Sequence, residues 1–307
     1  MANSVLDAKH FHDEEAAYAY LEARIWPNGP VCPHCGGIDR IGKLKGKSTR
    51  FGVYKCYQCR KPFRVTVKTV FEASHIPLRL WLQAVHLMAS SKKGISANQL
   101  HRILGVTLKT AWFMEHRIRL AMQEIGFAPM GGDGKHVEVD ETFFGFQHGA
   151  NSKTVRHSYQ YRNAVLTLVE RGGSARSFHV DGTTIGQLLP IMRANIQRET
   201  NLLTDQAAWY KTIGTEYASH ETVDHSKKEY ARGDVSTNTV EGYFSIFKRG
   251  MKGVYQHCAE KHLHRYLAEF DFRYSNRIAL GIDDVSRADR LLKGIVGKRL
   301  TYQTSHH

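Results

Sequence analysis

Two groups of residues in this chain have types and spacings that could do chemistry: three acids far apart in the sequence, Asp140, Asp205 and Glu241, and two Cys-x-x-Cys pairs, Cys32/Cys35 and Cys56/Cys59. Twenty residues separate the cysteine pairs. That is the spacing of a zinc ribbon, in which each knuckle gives two thiolates to one tetrahedral ion. Four thiolates leave no open position, so the Zn²⁺ would be structural. The alternatives are iron on the same ligands or disulfides; Met1–Asp7 shows no secretory pattern, which disfavours the disulfides and leads us to expect a cytoplasmic protein. Cys258 stands alone.

The acids suggest a second metal site. Asp140 lies in an alternating segment in which Val137 and Val139 face the other side of a strand. Asp205 ends the apolar run Leu202-Leu203-Thr204, at the C-terminal end of another strand, where open α/β sheets bind ligands. Glu241, Ser245, Lys248 and Lys252 fall on one stripe of a helix, beside an apolar stripe of Val240, Phe244, Phe247 and Met251. Three carboxylates about 4 Å apart repel by roughly 4 kcal/mol per pair at an effective dielectric of about 20, a cost that a divalent cation removes. Oxygen ligands select Mg²⁺ or Mn²⁺, and two such ions about 3.5–4 Å apart suit phosphoryl transfer. Competing local readings exist. Asn238 and Glu241 have the spacing of an N-cap and its N3 glutamate, Glu138 or Glu141 could replace Asp140 as ligand, and Asp224 and Asp234 read as solvated loop acids.

The elements that must position these residues follow from periodicity. Helices are expected from Pro77, from Ser96 to Gly105 and from Thr107, a helix-turn-helix pattern. After the linker Pro129–Gly134 come strands at Val137–Phe144, Tyr161–Glu170 and Ala175–Val180, with a turn at Gly172-Gly173. A helix at about Thr184–Gln197, strands at Asn201–Thr204 and near His220–Val223, and helices at about Asn238–Gly253 and Glu260–Arg277 complete a mixed α/β sheet. The resulting division is a helical lead-in at 1–30, the ribbon at 31–72, the helix-turn-helix at 77–127, the α/β domain at 135–280 and a tail at 281–307 without an assigned role.

Of the 307 residues, 42% are hydrophobic and 23% charged, the range of a folded globular chain, and no window is apolar enough to span a membrane. The 43 Lys and Arg against 29 Asp and Glu give a net charge of +14, which points to a polyanion. Ten of those cations lie between Arg40 and Lys68, with no acid among them. Phe51, Tyr54, Tyr57 and Phe63 interleave with them, either as stacking platforms for bases or as the ribbon's own core. The DNA contacts expected are Arg50, Lys55, Arg60, Lys61 and Arg64 in the ribbon, Lys109 and Arg117 in the third helix, and Lys248, Arg249 and Lys252 beside the acids.

The chain also resembles a known family. Trp26-Pro27-Asn28-Gly29 leading into the first cysteine pair, the second pair, Val137–Thr142, Leu202–Asp205 and Asn238–Gly250 together are similar to the prokaryotic insertion-sequence transposases that carry a zinc ribbon before a DDE catalytic domain of RNase-H-like fold. The resemblance implies that Asp140, Asp205 and Glu241 hold the catalytic metals and that Lys248 contacts DNA phosphate. It also implies an enzyme that binds its element's terminal repeats, cleaves strands there and joins the 3′-hydroxyls to target DNA, acting as a homo-oligomer. A DNA-binding regulator without catalysis and a nuclease that cuts without joining are the alternatives.

Overall fold

Side chains take up free N–H groups at the helix starts of the first unit in the computed structural model, which describes residues 4–46, 48–124, 126, 128–147, 162–224 and 231–301. The chain divides into two compact units, one from Met1–Ser91, Ile95–Gln123 and Asp283–His307, the other from Lys92–Gly94 and Glu124–Ile282. In the first, Asp13 accepts from the Ala16 N–H (2.7 Å) to start α1 (Glu14–Ile25). The strands β1 (Ile41–Lys43), β2 (Tyr54–Cys56) and β3 (Pro62–Phe63) form a small antiparallel sheet. Three helices follow. Pro77 precedes α2 (Leu78–Ser90), whose first N–H groups are taken by the Glu14 carboxylate. Ser96 caps α3 (Ala97–Leu104), which Gly105 ends in the left-handed region at φ +65°, and Thr107 caps α4 (Leu108–Met122).

The second unit is built on a five-stranded sheet. It uses β4 (His136–Phe144), β5 (Asn163–Glu170), β6 (Ala175–Val180), β7 (Asn201–Asp205) and β8 (Ser219–Val223), in the order β6-β5-β4-β7-β8. The first three pair antiparallel in series, while β7 and β8 add parallel to β4, giving the mixed sheet of an RNase-H-like fold. Tyr161, where the sequence places the start of β5, lies outside the described residues. The interior strand β5 is covered on both faces, which explains its nearly unbroken apolar run Ala164–Val169. On one face Val137, Val139, Leu166, Leu168 and Leu202 pack against Leu188 and Met192 of α5 (Ile185–Asn195) and Tyr210 and Ile213 of α6 (Ala208–Gly214). On the other, Val165, Val169 and Ala175 meet α7 (Asn238–Gly250) and α8 (Leu263–Ser275) through Val240, Phe244, Phe247, Leu267 and Phe270.

Several elements differ from the sequence expectation. The short α6 and the two-residue strands β9 (Ala231–Arg232) and β10 (Val235–Ser236), a hairpin turning at Gly233, carry too few residues for a periodic signal. The last turn expected of α7 is a wider π-turn over Met251–Tyr255, and a 3₁₀ turn at Glu260–His262 precedes α8. The C-terminal segment folds into the first unit as α9 (Asp284–Lys293): Asp283 caps it, Leu291 and Leu292 are buried, and Asp289 pairs with Arg24 of α1. Asp224 is buried, not a solvated loop acid.

Candidate active site

Register brings the first two acids together. The β4–β7 ladder runs from His136–Asn201 to Glu138–Leu203, and Asp140 and Asp205 each stand two residues beyond its last pair on their own strands. The apolar stripe of α7, Val240, Phe244, Phe247 and Met251, is buried against the sheet and α8, which leaves Glu241 and Lys248 on the flank of the helix beside those strand ends. Asp140, Glu141, Thr142, Asp205, Glu241, Phe244, Ser245 and Lys248 line one cavity of about 370 Å³. Thr237 Oγ1 donates to Glu241 Oε1 (3.1 Å), and Asp205 Oδ1 accepts from the Ala207 N–H (3.0 Å), so each carboxylate is oriented from its own element. Arg249 and Lys252 are exposed and are not among the lining residues; the Arg249 guanidinium is turned back onto Ser245.

The cavity holds more negative charge than its surroundings answer. Burial, the charges of Glu141 and Asp205, and more weakly Glu241, push the Asp140 carboxyl up to about 8, against the Glu141 N–H that donates to its Oδ1 (2.7 Å). Burial also raises Glu141 to about 7, opposed by the Tyr210 hydroxyl donating to it at 2.6 Å and aided by Asp205. Lys248 is half-buried and its pKa is lowered, by burial first, while the charge of Asp140 works the other way and Lys252 adds to the lowering. Clustered carboxylate oxygens are the donor set of Mg²⁺ and Mn²⁺. The acids share the cavity without tight convergence, as mutually repelling groups do: among the described residues, only the four cysteines form a group of three or more such ligands with all donor atoms within 4.8 Å.

Two neighbouring acids have different tasks. Glu141 lines the cavity on the side of α6, and its Tyr210 partner leaves no sign in the sequence because seven-residue α6 is too short for a periodic signal. Glu138 is fully buried and is not among the lining residues: its carboxylate accepts from the N–H groups of Thr239 and Val240. That contact also corrects the reading of Asn238 as the N-cap, since Thr237 holds that position and makes no side-chain cap.

In the first unit the cysteines meet. Cys32 Sγ lies 3.6 Å from Cys59 Sγ and Cys35 Sγ 3.7 Å from Cys56 Sγ, near the roughly 3.8 Å edge of a tetrahedron with Zn–S of about 2.3 Å. The knuckles repeat each other. Cys32 N–H donates to the Gly37 carbonyl as Cys56 N–H does to that of Lys61, and Gly36 and Arg60, each following the second cysteine of its pair, take positive φ. Backbone N–H groups of Cys59 and Gln58, against burial, bring the Cys56 thiol down to about 7, while Cys35, against the Gly37 N–H, is raised by burial and the three neighbouring thiols, so the four sulfurs share their protons until a cation replaces them. Tyr54 and Phe63 stack in the ribbon core with Trp26 edge-on, whereas Phe51 and Tyr57 are exposed. Of the expected DNA contacts, Arg50, Arg60, Lys61 and Lys109 are exposed and Lys55 and Arg64 partly so. Arg50 and Arg64 join Arg79 and His75 around a cavity of about 490 Å³. Arg117 is a correction: it is buried, and its guanidinium donates to the carbonyls of Glu72 and Leu300.

Comparison with known proteins gives two family matches and a relative. Residues 131–275 match the ISXO2-like transposase domain, and residues 12–62 the transposase zinc-ribbon domain. The chain is 27% identical over 283 residues, 88% of its own length and 93% of the relative's, to an uncharacterized protein in transposable element ISH50 of Halobacterium salinarum.

Proposed function

Because this chain belongs with the insertion-sequence transposases that set a zinc ribbon ahead of a DDE domain, we propose that it binds the terminal repeats of its own element, cleaves strands at their ends and joins the freed 3′-hydroxyls to target DNA. The observation that carries the reading is the single cavity lined by Asp140, Asp205 and Glu241 from three separate elements, with the Asp140 carboxyl held up to about 8 by burial and by the charges of Glu141 and Asp205. These three carboxylates would hold Mg²⁺ or Mn²⁺. When bound, such ions activate the attacking oxygen and stabilise the leaving one in an in-line displacement at phosphorus.

The chain's own residues do the rest. Lys248, half-buried on the cavity wall, supplies a fixed positive charge to the phosphate that will be cut, while Phe244 walls off part of the cavity from water. Thr237 and the Ala207 N–H hold Glu241 and Asp205 in orientation before substrate arrives. Recognition falls to the first unit. Its ribbon presents Arg60, Lys61 and the exposed rings of Phe51 and Tyr57, its cavity presents Arg50 and Arg64, and α3 and α4 form the helix-turn-helix. Structural Zn²⁺ on the four cysteines keeps the small ribbon folded. Bringing two element ends together requires at least two copies, acting in the cytoplasm where the DNA is; among the described residues no helix is long and apolar enough to cross a membrane.

The test is an end-cleavage and joining assay on a terminal-repeat duplex, with Mg²⁺ or with EDTA. Nicked ends and joined product that need Mg²⁺ and vanish in Asp205→Asn, while end binding survives, support the reading. Cleavage without joining makes the protein a nuclease, and unaltered activity in Asp205→Asn removes the proposed site.

A further inference from the structure

Glu138 stands two residues before Asp140 on β4, so the two side chains leave the sheet on the same face. Both Glu138 oxygens are fully used. Oε2 accepts from the N–H groups of Thr239 (2.8 Å) and Val240 (2.9 Å), and Oε1 from Thr239 Oγ1 (2.7 Å) and Arg171 Nε (2.6 Å). The first turn of a helix carries N–H groups without intrahelical partners and the positive end of the helix dipole, and a carboxylate satisfies both. A local side chain ordinarily does this. In α7 the carboxylate comes from another element, 101 positions away in sequence. Arg171 extends the tie, since its guanidinium also donates to the carbonyls of Asp234 (2.5 Å) and Ser236 (2.9 Å), the β9–β10 hairpin that leads into α7.

We infer that Glu138 and Arg171 are positioning residues that set the distance between Asp140 and Glu241. One end of the tie is the strand bearing Asp140; the other is the helical turn bearing Glu241, one residue beyond Val240. A shift of the start of α7 therefore passes to Glu241 without being absorbed by an intervening loop. Neither residue is among those lining the cavity, so both act through the ligands they place. Misplacing a reacting group by about 1 Å costs on the order of 100-fold in rate, and altering groups that orient metal ligands typically costs about 10–100-fold in metal affinity or activity.

The inference rests on the reading of Asp140, Asp205 and Glu241 as metal ligands, and its test separates the two. Full-length wild type, Arg171→Lys, Glu138→Gln and Asp205→Asn are compared with Leu188→Ala, a core truncation on the opposite face of the sheet. Mn²⁺ binding by calorimetry and turnover at saturating end DNA are measured below the thermal transition of every variant, and the thermal midpoint is taken from a separate melting scan. The expected result is Mn²⁺ affinity lowered about 10–100-fold in Arg171→Lys and Glu138→Gln, with turnover reduced and KM for DNA unchanged. Leu188→Ala should lower the thermal midpoint while its Mn²⁺ affinity and turnover stay at the wild-type level. Wild-type Mn²⁺ binding that Arg171→Lys leaves untouched overturns the positioning role alone. A wild-type chain that binds no Mn²⁺, or binds it equally after Asp205→Asn, overturns the metal reading and the positioning role with it. Should Glu138→Gln fail to fold, the partly exposed Arg171 still carries the test.

Discussion

Replacing Asp140 with Asn should make the metal-free protein more stable, and the gain should depend on pH. The folded protein holds the Asp140 proton to about 8, against 3.8 for an ordinary aspartate. Below pH 3.8 the carboxyl is neutral folded or unfolded, so the substitution changes little. As pH rises, the unfolded chain gains from releasing the proton while the folded one cannot; folding is penalised progressively until the folded group ionises near pH 8. At pH 7 the penalty is at most about 4 kcal/mol, from roughly 1.36 kcal/mol for each of the 3.2 pH units between 3.8 and 7. Sharing of the charge with Glu141 and water at the cavity mouth bring the expected gain to about 2–4 kcal/mol, or roughly 4–16 °C in Tm for a domain of this size. Asparagine keeps the acceptor oxygen for the Glu141 N–H and lacks only the charge. The assay is thermal denaturation in EDTA from pH 4.5 to 8.5, repeated in Mg²⁺. At 100 times its Kd, Mg²⁺ should restore about 2.7 kcal/mol to the wild type and nothing to the variant. A stability difference that is flat with pH, or a variant less stable throughout, refutes the electrostatic reasoning.

Other expectations follow from the first unit. Zinc removal by chelation, or Cys56→Ser, should unfold the ribbon and abolish end binding, read by circular dichroism and gel shift, because the ribbon's core cluster buries Cys32 and Cys56 beside Phe63 and the four sulfurs stand at tetrahedral spacing. If about six to ten phosphates are neutralised, end-DNA affinity should fall roughly 10³–10⁵-fold between 50 and 200 mM salt, and Arg50→Ala or Arg64→Ala should each lower the slope by about one. Arg117→Met should leave that slope unchanged and cost about 1–3 kcal/mol in a denaturant titration, since it strands two carbonyls otherwise paired with the guanidinium. Deleting the segment after Ile282 should destabilise the first unit by several kcal/mol in the same titration, as burial of Leu291 and Leu292 and the Arg24–Asp289 pair are lost.

The parts of the fold written in local pattern were legible in the sequence. Ser96, Gly105 and Thr107 mark the ends of α3 and α4 because caps and left-handed glycines act within a few residues. The two stripes of α7 are visible because helical geometry repeats within one turn. What depended on distant partners was hidden. Asn238 satisfied a local capping rule, yet the group that serves the N-terminus of α7 is Glu138, a strand away. Arg117 looked like a cation on a recognition helix, and only the carbonyls of Glu72 and Leu300 show that it is buried. The pairing of β4 with β7, beyond whose last pair Asp140 and Asp205 reach one cavity, is a parallel contact across an intervening hairpin and helix, for which one chain's periodicity holds no register information.

The central claim is that three remote carboxylates jointly hold divalent metal. Anomalous diffraction from crystals of the full chain grown with Mn²⁺ tests it most directly. The account predicts one or two Mn²⁺ peaks in the cavity, with oxygens of Asp140, Asp205 and Glu241 at about 2.1–2.3 Å. Ordered Mn²⁺ bound elsewhere, with that cavity lacking a peak at saturating metal, would contradict it.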